Sequence, residues 1–398
     1  MTPKILLDFT NAGGNVLLGL SSESGTPSAI SSLLLEFDIS LPQDRTSVVV
    51  DHFHYDTTSA PEKHDVLLVR RPGPLRPDVV NFFGGEGVLA VPNSVGQTLG
   101  NDSPLLVPIL RAPATAYAYN PKDEVETVED PFAIGTQLAL VSALQARNSA
   151  RFTVLGSLEM LQDKWFGASV KGIDGKSVKT ANRDFARQLT EWTFKEVGVL
   201  QVGTVTHYEV SSSLSASANL AENTTTQVGF LNPTIYRIKN DVVSSDSSFG
   251  DRPLTHSQTF SIELSSYSHD HYEPFTLPPG DELQLEFTML SPFHRIPLHP
   301  SSATPNSTVF STTFRTPDQH GIFTFKVNYK RPFLTNVEVK RQVTVRHFAH
   351  DEWPRSWRIS GAWPWAAGIW TVIGGFLAFV VLWLYCEPQG KGPVRQSQ

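Results

Sequence analysis

One segment near the carboxyl end limits what this chain can be. Residues 362–386 read AWPWAAGIWTVIGGFLAFVVLWLYC and contain no charged side chain. As a helix rising about 1.5 Å per residue, they would extend about 37 Å, enough to cross a hydrocarbon core of about 30 Å with some tilt. The alternative is a buried core helix, but such helices seldom stay uncharged for so long. The segment therefore predicts a transmembrane helix.

Aromatic residues mark both ends of this segment, as expected for side chains at the two membrane interfaces. They are Trp363, Trp365, Trp383 and Tyr385. Gly374 and Gly375, near the middle, leave a small-residue surface on which a neighbouring helix can pack closely.

The sequence leaves the orientation of this helix open. Arg355 and Arg358 precede it and Lys391 and Arg395 follow it, so the distribution of basic residues decides nothing. Three Asn-x-Ser/Thr motifs are acceptable glycosylation sites and point weakly to a lumen. They begin at Asn101, Asn223 and Asn306.

The amino-terminal sequence MTPKILLD does not read as a signal peptide. Either the protein is tail-anchored, or its true start is missing.

Composition excludes several classes of protein. The chain has 398 residues, 40% of them hydrophobic and 18% charged, which indicates folded domains rather than general disorder. A net charge of −7 provides no basic field for nucleic acid. With Cys386 as the single cysteine, an internal disulfide, a thiolate zinc site and a Cys/His nucleophile are excluded.

Residues 1–200 alternate short apolar runs with helical patterns. The runs starting at Val16, Val48, Val66 and Val88 suit strands buried on both faces. The sequence TQLALVSALQAR at 136–147 predicts a helix, and 151–155 a strand. An amphipathic helix is predicted at 182–197, with Asn182 as its N-cap and Gly198 to end it. This alternation predicts an α/β domain with a largely parallel sheet. One side of that sheet is expected to carry few βα units, because little chain precedes the first strand.

From residue 201 to about 350 the apolar period changes to two. Residues 260–264, 283–289, 323–329 and 337–345 alternate apolar with polar side chains, and the last two segments predict a hairpin. We therefore expect an antiparallel, β-sandwich-like region with one face of each sheet buried. The predicted order is an α/β domain (1–200), this β-rich region (201–350), a juxtamembrane segment (351–361), the transmembrane helix (362–386) and a short tail (387–398).

Signals for chemistry are weak. Asp51-His52-Phe-His54 places two imidazoles on one face of a strand, but no third metal ligand stands near, so we interpret it as a polar strand end. Gly85-Glu-Gly87 resembles a dinucleotide fingerprint by letters only, because a strand-like run follows where a helix is needed. The acidic run at 123–130 is typical of a solvated loop. We predict no catalytic, cofactor-binding or metal-binding residue.

A series of motifs, in one order over nearly the whole chain, resembles a known family. They include GGNVLLGLSSESGTP, VVVDHFHYD, SALQARNSARFTVLGSLEML, WTFKEVGVLQVGTVTHYEV, HGIFTFKVNYKRP and QVTVRHFAHDEWPRSW, followed by the Trp-Pro-rich entry to the apolar segment. The family is the oligosaccharyltransferase subunit known as the wheat-germ-agglutinin-binding protein or the 48-kilodalton dolichyl-diphosphooligosaccharide–protein glycosyltransferase subunit.

The resemblance implies a type I membrane protein of the endoplasmic reticulum with a luminal, amidotransferase-like α/β domain and β-rich domains. It implies a non-catalytic, structural role in a complex that transfers an oligosaccharide from dolichyl diphosphate to Asn-x-Ser/Thr. The implied partners are a catalytic multi-spanning subunit, ribophorin-like subunits, small membrane subunits and membrane lipid, without nucleic acid and without a cofactor of its own.

The chain departs from the family pattern at both ends. Its amino-terminal part lacks a signal peptide and the first βα elements, and its carboxyl-terminal tail lacks paired lysines. We expect an N-terminally truncated gene model. The alternatives are a tail-anchored protein or a luminal carbohydrate-binding protein that acts independently of the complex.

Overall fold

The computed structural model describes residues 2–100, 105–122, 130–211, 227–228, 231–238, 257–290, 293–317, 319–347 and 362–386. The chain separates into two compact units, Met1–His347 and Phe348–Gln398. We refer to the first unit as the body. The described residues of the second unit are one helix and the residue that follows it, Cys386.

The described helices are α1 (Pro3–Asn11), α2 (Ser28–Glu36), α3 (Asp163–Phe166), α4 (Asn182–Thr193) and α5 (Ala362–Tyr385). Short 3-10 helices cover Gly135–Gln137 and Glu159–Leu161. Strands of the amino-terminal half are β1 (Val16–Gly19), β2 (Ile39–Ser40), β3 (Val48–Val50), β4 (Val66–Arg70), β5 (Val88–Pro92), β6 (Thr98–Leu99), β7 (Leu106–Arg111), β8 (Tyr117–Tyr119), β9 (Ala139–Gln145), β10 (Arg151–Leu155), β11 (Ser169–Lys171) and β12 (Ser177–Lys179).

Ten further strands follow from residue 197 onwards. They are β13 (Val197–Ser211), β14 (Gln227–Val228), β15 (Ile235–Ile238), β16 (Ser257–Ser268), β17 (His271–Pro274), β18 (Leu283–Thr288), β19 (Phe293–Ala303), β20 (Thr308–Arg315), β21 (Gly321–Tyr329) and β22 (Val337–His347).

The central sheet of the amino-terminal half is mixed, not largely parallel as predicted. Its order is β1-β10-β9-β7, and only the β1–β10 pair runs parallel. The small ladders β2–β6, β3–β8, β4–β5 and β11–β12 are all antiparallel. The reason is local, because β9 returns directly into β10 through residues 146–150, too short a connection for the crossover that parallel neighbours need.

The helix predicted at 136–147 is wrong, because that segment contains strand β9. All seven residues of Ala139–Gln145 are buried, since the strand lies between β10 and β7 and is covered on both faces. An apolar run without polar alternation has the same pattern in a buried helix and in a strand buried on both faces. Packing on both faces, rather than local periodicity, decides the structure here.

The predicted helix at 182–197 is confirmed but ends earlier, at Thr193. Asn182 is not its N-cap; Ala181 holds that position, and the Asn182 side chain bonds the backbone N–H and carbonyl of Ala90. Gly198 lies beyond the helix, inside β13, with a positive φ of 71°. A Cβ there would meet the Phe333 carbonyl oxygen at 2.7 Å, so close backbone approach, and not helix termination, requires this glycine.

The β-rich half is antiparallel as predicted, apart from the parallel β15–β22 pair at one edge. The β21–β22 hairpin is confirmed over nine residue pairs. Strand β19 pairs with β18 through Phe293–Leu298 and with β20 from His299 onward, so it belongs to two sheets. Ring pairs between the two sheets, such as Phe260–Phe325 and Phe287–Phe314 with centroids 5.2 Å apart, show that they pack face to face.

The two halves share their packing around Phe333. The Trp192 indole N–H donates to the Phe333 carbonyl at 2.8 Å, and the two rings are 5.6 Å apart. The guanidinium of buried Arg151 donates to the carbonyls of Trp192, Val197 (2.8 Å) and Gly198 (2.7 Å). Burial lowers the pKa of Arg151 to about 9. Of these contacts, those between Trp192 and Phe333 cross the predicted boundary at residue 200 and join the halves.

Candidate functional site

Helix α5 is the one described helix that is long and apolar enough to cross a membrane. Its side chains are exposed along almost the whole length, so the apolar surface is available to lipid. Trp363 and Trp383 are separated by about 30 Å along the helix, which matches a hydrocarbon core. The interfacial positions of these residues and of Trp365 and Tyr385 stay a prediction.

The glycines of α5 leave gaps in its surface. Apart from the adjoining residues and the nearby backbone of the helix itself, no atom lies within 4 Å of the position that a Cβ would take at Gly368, Gly374 or Gly375. Gly375 lies seven residues after Gly368, two helical turns along the same face. The sequence prediction named Gly374 and Gly375 only, and the seven-residue spacing to Gly368 was the signal that it missed.

Asn306 is the one glycosylation candidate that lies among the described residues, since Asn101 and Asn223 fall outside them. Its side chain is exposed in the turn between β19 and β20. The turn is held by Glu263, whose carboxylate accepts from the hydroxyls of Ser307 (2.5 Å) and Thr204 (2.7 Å) and from the Thr204 amide (3.0 Å). These hydrogen bonds lower the pKa of Glu263 to about 2.

The histidines after β3 do not converge on one point. His52 meets His64 through their Nδ1 atoms and contacts the Tyr117 hydroxyl through Nε2 at 2.9 Å. His54 instead faces buried Asp51, with Nδ1 3.1 Å from the carboxylate. His64 was missed by sequence reasoning, since it follows His52 by twelve residues without a pattern that links them. Among the described residues, no group of three or more His, Cys, Asp or Glu side chains is arranged to hold a metal ion.

The Gly85–Gly87 segment is a turn with positive φ at both glycines, followed by strand β5, as the sequence predicted. Of the acidic run at 123–130, only Asp130 lies among the described residues. The run as a whole therefore stays a prediction.

A wide cleft of about 1500 Å³ opens beside α2. Hydroxyl and amide groups dominate its polar lining, and its charged members are Asp44, Arg45 and Asp130. The Ser31 and Ser32 hydroxyls on α2 donate to backbone carbonyls four residues earlier, so neither is bonded to a base that would activate it. The Thr115 hydroxyl, which also lines the cleft, donates to the buried Asp51 carboxylate at 2.8 Å and lies 3.2 Å from His54 Nδ1. The lining can therefore hydrogen-bond a polar ligand.

Two protein-family models match the chain. Residues 1–196 match the family described as "OST48, N-terminal domain", and residues 253–387 match "OST48 middle domain". The matches follow the two halves of the body, and the second extends through α5.

Named relatives align over almost the whole chain. The dolichyl-diphosphooligosaccharide–protein glycosyltransferase subunit wbp1 of Schizosaccharomyces pombe is 33% identical over 97% of this chain and 78% of that protein. The 48 kDa subunit of Danio rerio is 32% identical (96% of this chain, 76% of that protein), and that of Arabidopsis thaliana is 26% identical (96% and 77%). The order and extent of these matches, on a body followed by one apolar helix, show that the chain belongs to the family of the 48 kDa subunit of dolichyl-diphosphooligosaccharide–protein glycosyltransferase.

Proposed function

We propose that this protein is a non-catalytic, structural subunit of the oligosaccharyltransferase complex, which transfers a preassembled oligosaccharide from dolichyl diphosphate to asparagine in nascent proteins. The observation that carries the proposal is the combination of a compact body with a single exposed apolar helix in a chain whose relatives bear the name of that enzyme. Such a chain can anchor a soluble body beside a membrane-embedded enzyme.

Three features of the chain support a non-catalytic role. A single helix cannot enclose a site for a polyprenyl donor, and α5 is the one helix among the described residues that is long and apolar enough to enter the membrane. The Ser31 and Ser32 hydroxyls of the cleft beside α2 are bonded to backbone carbonyls and not to a base. The single cysteine of the sequence, Cys386, directly follows α5 and lies outside the sequence range of the body. The reaction therefore falls to a partner, the catalytic multi-spanning subunit of the complex.

The proposed topology is single-pass type I in the endoplasmic reticulum membrane, with the body in the lumen and residues 387–398 in the cytosol. In sealed microsomes, we expect the body to resist an added protease and the tail to be cleaved. Digestion of the body without detergent would support the tail-anchored alternative instead.

The complex itself provides the main test. The full chain, tagged at its tail and extracted in a mild detergent, should be recovered with a multi-spanning transferase subunit, ribophorin-like subunits and small membrane subunits. Recovery of the intact chain without any other transferase subunit would contradict the proposal.

Helix packing gives a sharper test of the same proposal. Replacing Gly375 with Leu fills the gap in α5 and should reduce the recovery of membrane partners severalfold, because a close helix approach needs a small residue. The matched control is Ala366→Leu, which adds a comparable apolar volume on the opposite face of the helix, nine residues before Gly375. Equal recovery of partners with both variants would exclude a packing role for the glycine face.

A further inference from the structure

Four large apolar side chains lie exposed at one end of the β-rich half. Their exposed fractions are 106% for Leu290, 64% for Ile322, 49% for Phe293 and 40% for Ile235. We call these four residues the apolar row. Water contact at four large side chains is unfavourable, so their grouping needs a physical reason.

Strand register places the row on one face. Ile235 pairs with Thr344, and Thr344 pairs with Ile322, so the two isoleucines point to the same side of the sheet. Phe293 pairs with Thr288 at the end of β18, and Leu290 follows two residues later. The flanking residues Phe323 and Val345 point inward and are fully buried. Ile235, Ile322 and Phe293 therefore lie on the outer face of the sheet, and Leu290 is exposed just beyond the end of β18.

The rest of that outer face is charged. Lys326 pairs with Glu286 on one side and Lys340 on the other, and Glu286 also binds Arg295 at 2.9 Å. This ladder lies four residues from Ile322, about 14 Å along the strand. The outer face thus changes from charged to apolar toward one end, which is the polarity change found between water and the membrane interface.

The apolar end is also the end from which the chain continues to α5. Ile322 pairs with Thr344, and β22 ends three residues later at His347, so the chain leaves the sheet at the same end as the apolar row. Residues 348–361 connect His347 to α5 and reach at most about 50 Å when fully extended. The sequence of this connection contains Trp353, Arg355, Trp357 and Arg358, residue types that favour the membrane interface.

We propose that the apolar row rests in the interfacial layer of the lipid bilayer that α5 crosses. Leu290, Ile322, Phe293 and Ile235 bury their side chains among the upper acyl chains. Arg295, whose guanidinium lies 5.4 Å from the Phe293 ring centre, stays at the level of the lipid phosphates, and so does Arg346 at the end of β22. The inference rests on the proposed membrane placement of α5 and adds a second lipid contact made by the body.

A single-cysteine experiment tests the inference on the full chain, with Cys386→Ser as background. Leu290→Cys and Ile322→Cys are labelled with an environment-sensitive NBD fluorophore and reconstituted in nanodiscs of phosphatidylcholine and phosphatidylserine. We expect a blue-shifted emission at both positions and loss of most of the fluorescence when the nanodiscs contain doxyl-labelled lipid. Both substitutions replace exposed side chains, so folding is preserved.

Two further positions separate the possible failures. Asn306→Cys, exposed in the turn at the opposite end of β19, should keep a water-like emission and resist doxyl lipid. Ala378→Cys in α5 should be quenched; if it is not, the membrane placement of α5 is wrong. With Ala378→Cys quenched, a water-like emission at positions 290 and 322 overturns the inference. A blue shift there without doxyl quenching also overturns it, because the row is then covered by protein.

Discussion

Single residues in this body owe their properties to neighbours that are distant in sequence. Glu263 accepts from Thr204 on β13 and from Ser307 in the turn between β19 and β20, which meet only in the folded sheet. Asn182 has the residue type of an N-cap but bonds Ala90 across the core. His64 contacts His52 through the folding of a loop. The sequence identifies the residue types at these positions, whereas tertiary contacts decide their partners.

Glu263 gives a pH-dependent prediction. Its pKa in the folded protein is about 2, below the ordinary 4.5, so its stabilising contribution is complete above pH 4.5 and is lost as the pH falls toward 2. Replacing Glu263 with Gln should lower the free energy of unfolding at pH 7 by about 1 kcal/mol, because hydrogen bonds to a charged acceptor become neutral ones at a partly exposed site.

Urea unfolding at several pH values provides the measurement. The difference between wild type and Glu263→Gln should shrink as the pH falls from 4.5 toward 2, while the exposed control Glu23→Gln should show little difference at any pH. A difference that is independent of pH would show that the carboxylate charge does not stabilise the turn.

At the scale of elements, the period of the apolar residues predicted the structure wherever one face of a helix or strand is exposed to solvent. Strands β16, β18 and β21 alternate buried and outward residues, and their prediction from period two is confirmed. Helix α4 is confirmed for the same reason, since Phe185, Leu189 and Trp192 form its buried stripe. The helix prediction at β9 is wrong because both faces of this strand are buried, so its apolar residues show no alternation that would identify a strand.

Arg151 links three of these elements, since it lies on β10 and donates to the last turn of α4 and the start of β13. We expect Arg151→Met to lower the free energy of unfolding by about 3 kcal/mol or more, because buried carbonyls lose their donor. Denaturant unfolding of this variant and of Arg187→Met, an exposed change on α4, measures the effect. Equal losses in the two variants would contradict a linking role.

For the whole molecule, the order of an α/β-type half, a β-rich half and one apolar helix could be predicted, and the named motifs identified the family. The boundary predicted at residue 200 marks a change of period, but the compact unit extends to His347. The cause is the shared packing of Trp192 against Phe333, and contacts between such distant positions leave no local pattern. The glycine face of α5 can be recognised from the spacing of its glycines in the sequence, whereas the apolar row could be recognised only from the strand register.

Shared packing predicts cooperative unfolding of the body. A chain ending at His347 should unfold in one transition, in which fluorescence of Trp165 and Trp192 and the far-ultraviolet circular dichroism of the strands change together. Phe333→Ala removes the ring that the halves share and should separate the two signals. Separate midpoints in the unsubstituted chain would show that the halves unfold independently.

The position of Phe333 has a consequence for synthesis of the chain. The core of the amino-terminal half is built from residues up to Val197 together with Phe333. A ribosome therefore completes residues 1–197 long before the side chain that closes their core exists. When Phe333 is finally added, only residues 334–361 remain before the segment that crosses the membrane is translated. Until then, the core of the first half lacks the ring that packs against Phe83 and Trp192 in the finished body.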